Sequence, residues 1–268
     1  MIDSFDVWYI GLIPMLGIGL AGWIASLIKR DVSIVDGLWS LMFLAAATVF
    51  IGFTEPANMR SYLIYGLVAV WALRLSIHIT TRNWGEPEDH RYVTIRKNRE
   101  PYFEYKSLYF VFGLQAFLAW IITLPLFAAI TTSSEFSTLD AIACIFWLTG
   151  FSFQALADYQ LLRFKSDPAN GGKVLASGAW RYSRHPNYFG ECLIWWGFYL
   201  FAVSSGAWWS VISPLLITFL LLKISGVAMM ESTITARRPE YQAYISSTSA
   251  FIPWPPKTDP SSSTQVSQ

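Results

Sequence analysis

Long apolar runs alternate with short polar breaks along the whole chain. Seven runs approach the ~20 residues that a helix needs to cross a hydrocarbon core: Val7–Leu27, Ile34–Phe53, Ser61–Ile79, Ser107–Ile130, Leu139–Leu161, Tyr188–Val203 and Ala207–Ile224. The runs are continuous and lack the two-residue alternation of barrel strands, so they predict helices. Only Ser204-Ser205-Gly206 separates the last two, which predicts a tight helical hairpin. The expected architecture is an all-α polytopic membrane protein with seven transmembrane helices, a single domain over residues 1–254. The tail, 255–268, is rich in Pro, Ser, Thr and Gln and is expected to be disordered. No basic residue and no small-residue cleavage site precedes Lys29, so the first run reads as a retained helix rather than a signal peptide.

Composition supports this. Hydrophobic residues make up 54% of the 268 positions and charged residues 14%. Soluble domains average about 25% charged, so a water-soluble surface is excluded. Two cysteines are too few for a disulfide scaffold; Cys144 and Cys192 lie in apolar runs and read as small buried hydrophobes. Charge placement adds orientation. Every Lys and Arg except Arg60 and Arg74 falls after runs one, three and five or at the end of and after run seven. Positive loops stay cytoplasmic, which puts the N-terminus outside and the C-terminus in the cytoplasm. The membrane is a bacterial inner membrane, or the endoplasmic reticulum in a eukaryote. The bilayer is then a partner, and no nucleic-acid partner is expected.

Ionisable groups inside a bilayer are costly and ask for a reason. Asp36 opens run two and shares a helical face with Trp39 and Phe43; an acid at a helix N-terminus near water is the plainer alternative. Trp71, Arg74, His78 and Arg82 share one face of run three, as functional groups or as snorkelling and packing residues. Gln154, Asp158 and Lys165 align in run five. Asn187 and Glu191 are one turn apart in run six, and Glu191 needs a partner, a basic side chain or a ligand.

Two long loops carry the remaining chemistry. One runs from Arg82 through Glu88-Asp89-His90-Arg91-Tyr92 to Arg96; the other holds Gly171-Gly172-Lys173 and Gly178-Ala-Trp-Arg181-Tyr-Ser-Arg184-His185-Pro-Asn187-Tyr188. Arginines suit phosphate oxygens and aromatic rings can stack on a base. A phosphorylated nucleotide and a surface against anionic headgroups both fit this composition. Gly17-Ile-Gly19-Leu-Ala-Gly22 matches a dinucleotide fingerprint but sits inside an apolar run with no preceding strand, and reads as helix packing. Three histidines and no Cys/His spacing give no metal site.

The segment Gly178 to Glu191 resembles the motif shared by membrane steroid 5-alpha-reductases, sterol C14 reductases and isoprenylcysteine carboxyl methyltransferases. Ala157-Asp158-Tyr-Gln-Leu-Leu-Arg-Phe-Lys165 lies upstream. Ser225-Gly226, Glu231, Arg238-Pro-Glu-Tyr241-Gln-Ala-Tyr244 and Phe251-Ile-Pro253 lie downstream. With Glu88-Asp89-His-Arg91-Tyr92, the chain is similar to the bacterial-type branch of the steroid 5-alpha-reductase superfamily. The resemblance implies a seven-helix reductase using NADPH to reduce a lipid or steroid-like enone. By motif position it implies that Gln154 and Asp158 hold the cofactor, that Lys165 stands where the steroid enzymes have Arg, and that Asn187 lies near the nicotinamide. Glu191 orients neighbours, and Tyr241 falls in the region that closes over the cofactor. Arg82 and Arg91 match arginines around the phosphates; Tyr92, Arg181, Arg184 and His185 complete the cofactor set. The substrate half departs from the pattern: Val35-Asp36 stands where Gln-Glu is expected, and Trp71, Arg74 and His78 take the face where the family has Tyr. Asp36 as proton donor, with Arg74 or His78 stabilising an oxyanion, is the expected catalytic set. A methyltransferase using S-adenosylmethionine and a non-enzymatic lipid-binding protein are the competing readings.

Overall fold

The computed structural model describes residues 4–224 and 241–257. Ser225, Gly226, Glu231 and Arg238 of the expected downstream motif lie outside the described residues, as does 258–268. The described residues are helical with no strand. In chain order the helices are α1 (Ser4–Lys29), α2 (Ile34–Gly52), α3 (Met59–Arg82), α4 (His90–Arg99), α5 (Phe103–Ile122), α6 (Leu124–Thr131), α7 (Thr138–Ser166), α8 (Pro186–Ser204), α9 (Trp208–Ile224) and α10 (Tyr241–Ser247). Five of them, α1, α2, α3, α5 and α7, are long and apolar enough to cross a membrane, which marks an integral membrane protein. The expected sixth and seventh runs form the 19-residue α8 and the shorter apolar α9.

The fourth run is not one helix. It breaks at Thr123, whose N–H still bonds Ala119 O at 2.9 Å and whose hydroxyl donates to Trp120 O at 2.6 Å. Pro125 follows in the first turn of α6, where its missing N–H costs nothing. A polar helix, α4, also replaces what reads as loop. Asp89 caps it by accepting from Arg91 N at 2.9 Å, and Arg96, Lys97 and Arg99 complement its C-terminal dipole.

The chain divides into two compact units, Met1–Ala141 with Phe198–Ser213, and Ile142–Gly197 with Pro214–Gln268. In the first unit, α2 and α3 are tied by serines that donate across to backbone, Ser40 to Ala72 O and Ser76 to Gly37 O, each at 2.8 Å. Such small polar residues let helices approach closely where no hydrophobic drive separates them from lipid. Of the fingerprint-like glycines, Gly19 and Gly22 pack against Phe112 and Gly17 faces open space, so that segment is helix packing. Trp8 and Trp120 stack at 3.8 Å, and the Nε1–H of each donates to the backbone oxygen of the other at 3.3 and 3.0 Å.

Two helix ends share one motif. At the end of α8, Ala207 N donates back to Ala202 O at 2.9 Å, with Gly206 between them at φ +83°. At the end of α1, Asp31 N donates to Ser26 O at 3.2 Å around Arg30, at φ +54°. Glycine takes the left-handed conformation freely; an L-residue with a Cβ is strained there by ~1–2 kcal/mol.

Arg60 begins α3 and is buried rather than a loop cation. Its Nε donates to Asp140 Oδ1 at 3.0 Å, Nη1 to Ala129 O at 2.9 Å, and Nη2 to Phe201 O at 2.5 Å and Ser204 Oγ at 2.7 Å. The paired side chains are 2% and 0% exposed. Breaking such a pair strands a charge at a cost of about 3–5 kcal/mol. Arg60→Leu is therefore expected to lower the unfolding temperature strongly in detergent, and Arg60→Leu with Asp140→Leu to recover most of the loss. Equal damage from the double variant would show that the pair's polarity is not the cause.

Candidate functional site

In the first unit, Asp36 lies in the first turn of α2 and collects two donors from α4. Arg91 Nη2 donates to its Oδ2 at 2.7 Å, and the Tyr92 hydroxyl donates to its Oδ1 at 2.6 Å. Gln115 Nε2 donates to the Tyr92 oxygen at 3.1 Å. Arg91 is held in turn by Asp89, through Nε at 3.1 Å and Nη2 at 3.0 Å. Both Asp36 oxygens are thus engaged, and the Tyr92 hydroxyl brings a proton into the cluster. Burial and the Asp36 charge push the Tyr92 phenol well above its ordinary range. Burial alone would lower the Arg91 guanidinium's affinity for its proton, but the Asp89 hydrogen bond and the Asp36 and Asp89 charges raise it. Burial would raise Asp89; Arg91's hydrogen bonds and charge outweigh it and hold that carboxyl low.

The structure thus brings Asp36 together with Arg91 and Tyr92. Along α3, Trp71 is buried, Arg74 and His78 are half-buried, and Arg82 is exposed, with Nε on Asn83 Oδ1 at 3.0 Å.

In the second unit, α7 and α8 meet at two glycines. A Cβ on Gly190 would lie 2.5 Å from Gly150 O and 2.6 Å from Gln154 N; one on Gly150 would lie 2.5 Å from Gly190 O. Backbone cannot yield as a flexible side chain does, so both positions require glycine. The approach sets Gln154 against Glu191: Gln154 Nε2 donates to Glu191 Oε2 at 2.5 Å, and Trp195 Nε1 donates to Oε1 at 2.9 Å. One turn along each helix, Asn187 Nδ2 donates to Asp158 Oδ1 at 3.1 Å. Gln154, Asp158 and Glu191 are all buried. Lys165 and Arg181 are exposed.

The motif loop is pinned on both sides. Trp180 Nε1 donates to Ala157 O at 3.0 Å, and Ala179 N to Gln160 Oε1 at 3.0 Å. The space beside Gly178 (φ +60°) is filled by that Gln160 amide, so this glycine does not open a cradle for a ligand. Arg184 Nη1 donates to Ile245 O at 3.0 Å and Thr248 O at 2.5 Å, which caps the C-terminal end of α10. The Tyr244 hydroxyl donates to Trp180 O, and Ser183 Oγ to Phe251 O at 2.7 Å. His185 stacks on Tyr188 with ring planes 3° apart, and Tyr241 meets Tyr244 edge-on. Sequence reasoning gave no role to Gln160 or Trp195 and placed Tyr244 only within the downstream motif. Gln160 and Tyr244 act on residues 19 and 64 positions away, whereas Trp195 lies one helical turn from Glu191, a spacing that could have flagged it.

Residues 22–248 match the family described as "Protein of unknown function (DUF1295)". The chain belongs to this family. It is the steroid 5-alpha-reductase-like group. A relative in Schizosaccharomyces pombe, the uncharacterized protein C594.04c, is 27% identical over 282 residues, covering 91% of this chain and 79% of that protein. No solved structure matches significantly.

The two ends of the pH scale read the first cluster separately. Asp89's stabilisation is complete above the ordinary carboxylate value, about 3.9, and is lost as pH falls through its lower folded value. Tyr92's is complete below about 10 and is lost as pH rises through its raised folded value. Unfolding temperature against pH is expected to show a flatter acid limb in Asp89→Asn and a flatter alkaline limb in Tyr92→Phe. Unchanged limbs would remove these groups from the balance.

Proposed function

We propose that the protein is an NADPH-dependent membrane reductase that saturates the C=C bond of a lipid α,β-unsaturated carbonyl. Seven spans, with the N-terminus outside and the C-terminus cytoplasmic, are part of the reading. One observation carries it. Gln154 is paired with Glu191, both buried, and half-buried Asn187 with Asp158, at positions that by the resemblance would hold a cofactor or orient the groups that do.

The second unit's residues fit NADPH in kind. Amide and carboxylate groups at Gln154, Asp158 and Asn187 suit a carboxamide and ribose hydroxyls, which need both donors and acceptors. Exposed Arg163, Lys165, Lys173 and Arg181 suit phosphates. Arg184 spends Nη1 on backbone carbonyls, so its part includes fixing the loop. Glu191, accepting from both Gln154 and Trp195, keeps the Gln154 amide in one orientation. NADPH, when bound, supplies hydride for the β carbon of the enone.

Reduction also needs a proton and relief of the charge that develops on the carbonyl oxygen. In the first unit the Tyr92 hydroxyl donates to Asp36, and Arg91 orients the same carboxyl group. Arg74 and His78, one turn apart on α3, are the cationic or proton-bearing groups suited to an oxyanion. Asp36 is then the group through which the proton on Tyr92 is positioned.

Thermal unfolding in detergent tests the reading. NADPH is expected to raise the unfolding temperature and S-adenosylmethionine to leave it unchanged; the reverse would favour a methyltransferase, and no response to either a lipid-binding protein. Asp158→Ala is expected to weaken NADPH binding about tenfold or more, the worth of one hydrogen bond to a charged group. In a screen of lipid enones followed by NADPH oxidation, Asp36→Ala is expected to abolish turnover and keep NADPH binding. Normal turnover in that variant would overturn the catalytic assignment.

A further inference from the structure

We propose that a cavity at the end of α1 binds the phosphate of an anionic phospholipid, with Arg30 as its principal cation. The cavity has a volume of about 440 Å³ and lies in the first unit. Its polar lining is Ser26, Arg30, Arg96, Glu104 and Ser107. None of these belongs to the cofactor or substrate sets above.

Arg30 is the first reason. It occupies the left-handed position of a helix-ending motif that α8 closes with Gly206. A strained residue where glycine would be relaxed points to a use for its side chain. That guanidinium makes no hydrogen bond or ion pair among the described residues. The cation is therefore placed at the cavity at a conformational cost and with its donors uncommitted.

The rest of the lining narrows the ligand. Arg96 commits Nε and Nη2 to Glu88, at 3.2 and 2.8 Å, and lies over the Phe103 ring. Its Nη1 is 3.9 Å from Glu104 Oε1, beyond hydrogen-bond reach. Glu88 is neutralised by that fork and by Val32 N at 2.9 Å. The Ser26 and Ser107 hydroxyls both donate to backbone carbonyls at 2.7 Å, so guanidinium N–H groups are the donors left for a guest. With Arg96 paired to Glu88, Arg30 is the lining's uncommitted guanidinium. Arg96 Nη1 has no hydrogen bond either, and Glu104 is half-exposed to water, so the donors that face a guest are guanidinium N–H groups, whose planar forks match phosphate oxygens.

The surroundings decide between a lipid and a soluble phosphate. Ile24 and Ile28 are exposed on the last turns of a helix long enough to span a membrane, as acyl chains require. Lys29 lies 5.2 Å over the ring of Trp84, which is itself exposed, a pairing typical of the headgroup level.

The test compares unfolding temperatures in phosphatidylcholine nanodiscs, the same nanodiscs containing phosphatidylglycerol, and phosphatidylcholine nanodiscs with inorganic phosphate, all without nucleotide. Phosphatidylglycerol is expected to raise the unfolding temperature of the wild type, and inorganic phosphate not to. Arg30→Gly is expected to match or exceed the wild type in phosphatidylcholine, because the backbone strain is relieved, and to lose most of the phosphatidylglycerol increment. Glu104→Gln is expected to reach the full increment at lower phosphatidylglycerol content. Lys97→Ser removes a nearby exposed charge outside the cavity and is expected to keep the increment. A full increment in Arg30→Gly, an equal loss in Lys97→Ser, or an equal effect of inorganic phosphate would each overturn the proposal. Asp158→Ala is expected to keep the wild-type increment, so failure here and failure of NADPH binding are separate results.

Discussion

Arg60 cannot be left alone in an apolar medium. Its side chain is almost wholly buried, and a stranded guanidinium would favour any arrangement that rescued it. Its donors are met by a carboxylate, two backbone carbonyls and a serine hydroxyl, drawn from α6, α7 and α8. The start of α3 is thereby fixed to three other elements within the first unit. Asp140 is bound just as fully, since Ser137 and Ser204 occupy its remaining lone pairs. At the other end of α2 and α3, Asp36 obeys the same rule with different means. Its partners come from a polar helix that lies between two apolar runs in sequence, and a second carboxylate, Asp89, holds the arginine in place.

The second unit places its buried polar groups through a backbone contact. Two backbones touch at Gly150 and Gly190, and the contact brings amide and carboxyl side chains into register on facing helices. The candidate cofactor groups are therefore placed by the absence of side chains as much as by their presence. This division assigns different sensitivities to the two units. The first depends on charge neutralisation, the second on how closely two helices can approach.

Much of the helical framework was legible because each apolar run is long, continuous and bounded by polar residues. Where it was not, local pattern met a competing cause. The fourth run stays apolar through Thr123, but Pro125 starts a new helix that hydropathy cannot register. The helix α4 has only a short apolar stripe, Tyr92 and Ile95, to announce it; it also stands on a cap at Asp89 and on Arg91, Tyr92 and Arg96, whose partners lie outside it. The choice of Asp36 as a residue of interest followed from the cost of an acid in an apolar helix. Its partners, 55 and 56 residues away, could not follow from spacing. Gln154, Asp158, Asn187 and Glu191 were identified through one motif and one face, and their pairing needed the glycine contact. Gly178 illustrates the converse: the room beside a loop glycine is taken by Gln160 of the same chain.

The bonds from the motif loop to α10 have a consequence for the order of assembly. Tyr244 reaches back across 64 residues to Trp180, and Arg184 reaches forward to the carbonyls of Ile245 and Thr248. During synthesis the loop emerges well before the segment that clasps it, with a helical hairpin still to be inserted between the two. Until the C-terminal turn arrives, Arg184 has no carbonyls to cap and the loop has no second anchor. The candidate cofactor loop is therefore among the last parts of the chain to become rigid. A chain that stalls or is cut before residue 241 would carry the five long apolar helices found among the described residues and an unclasped loop.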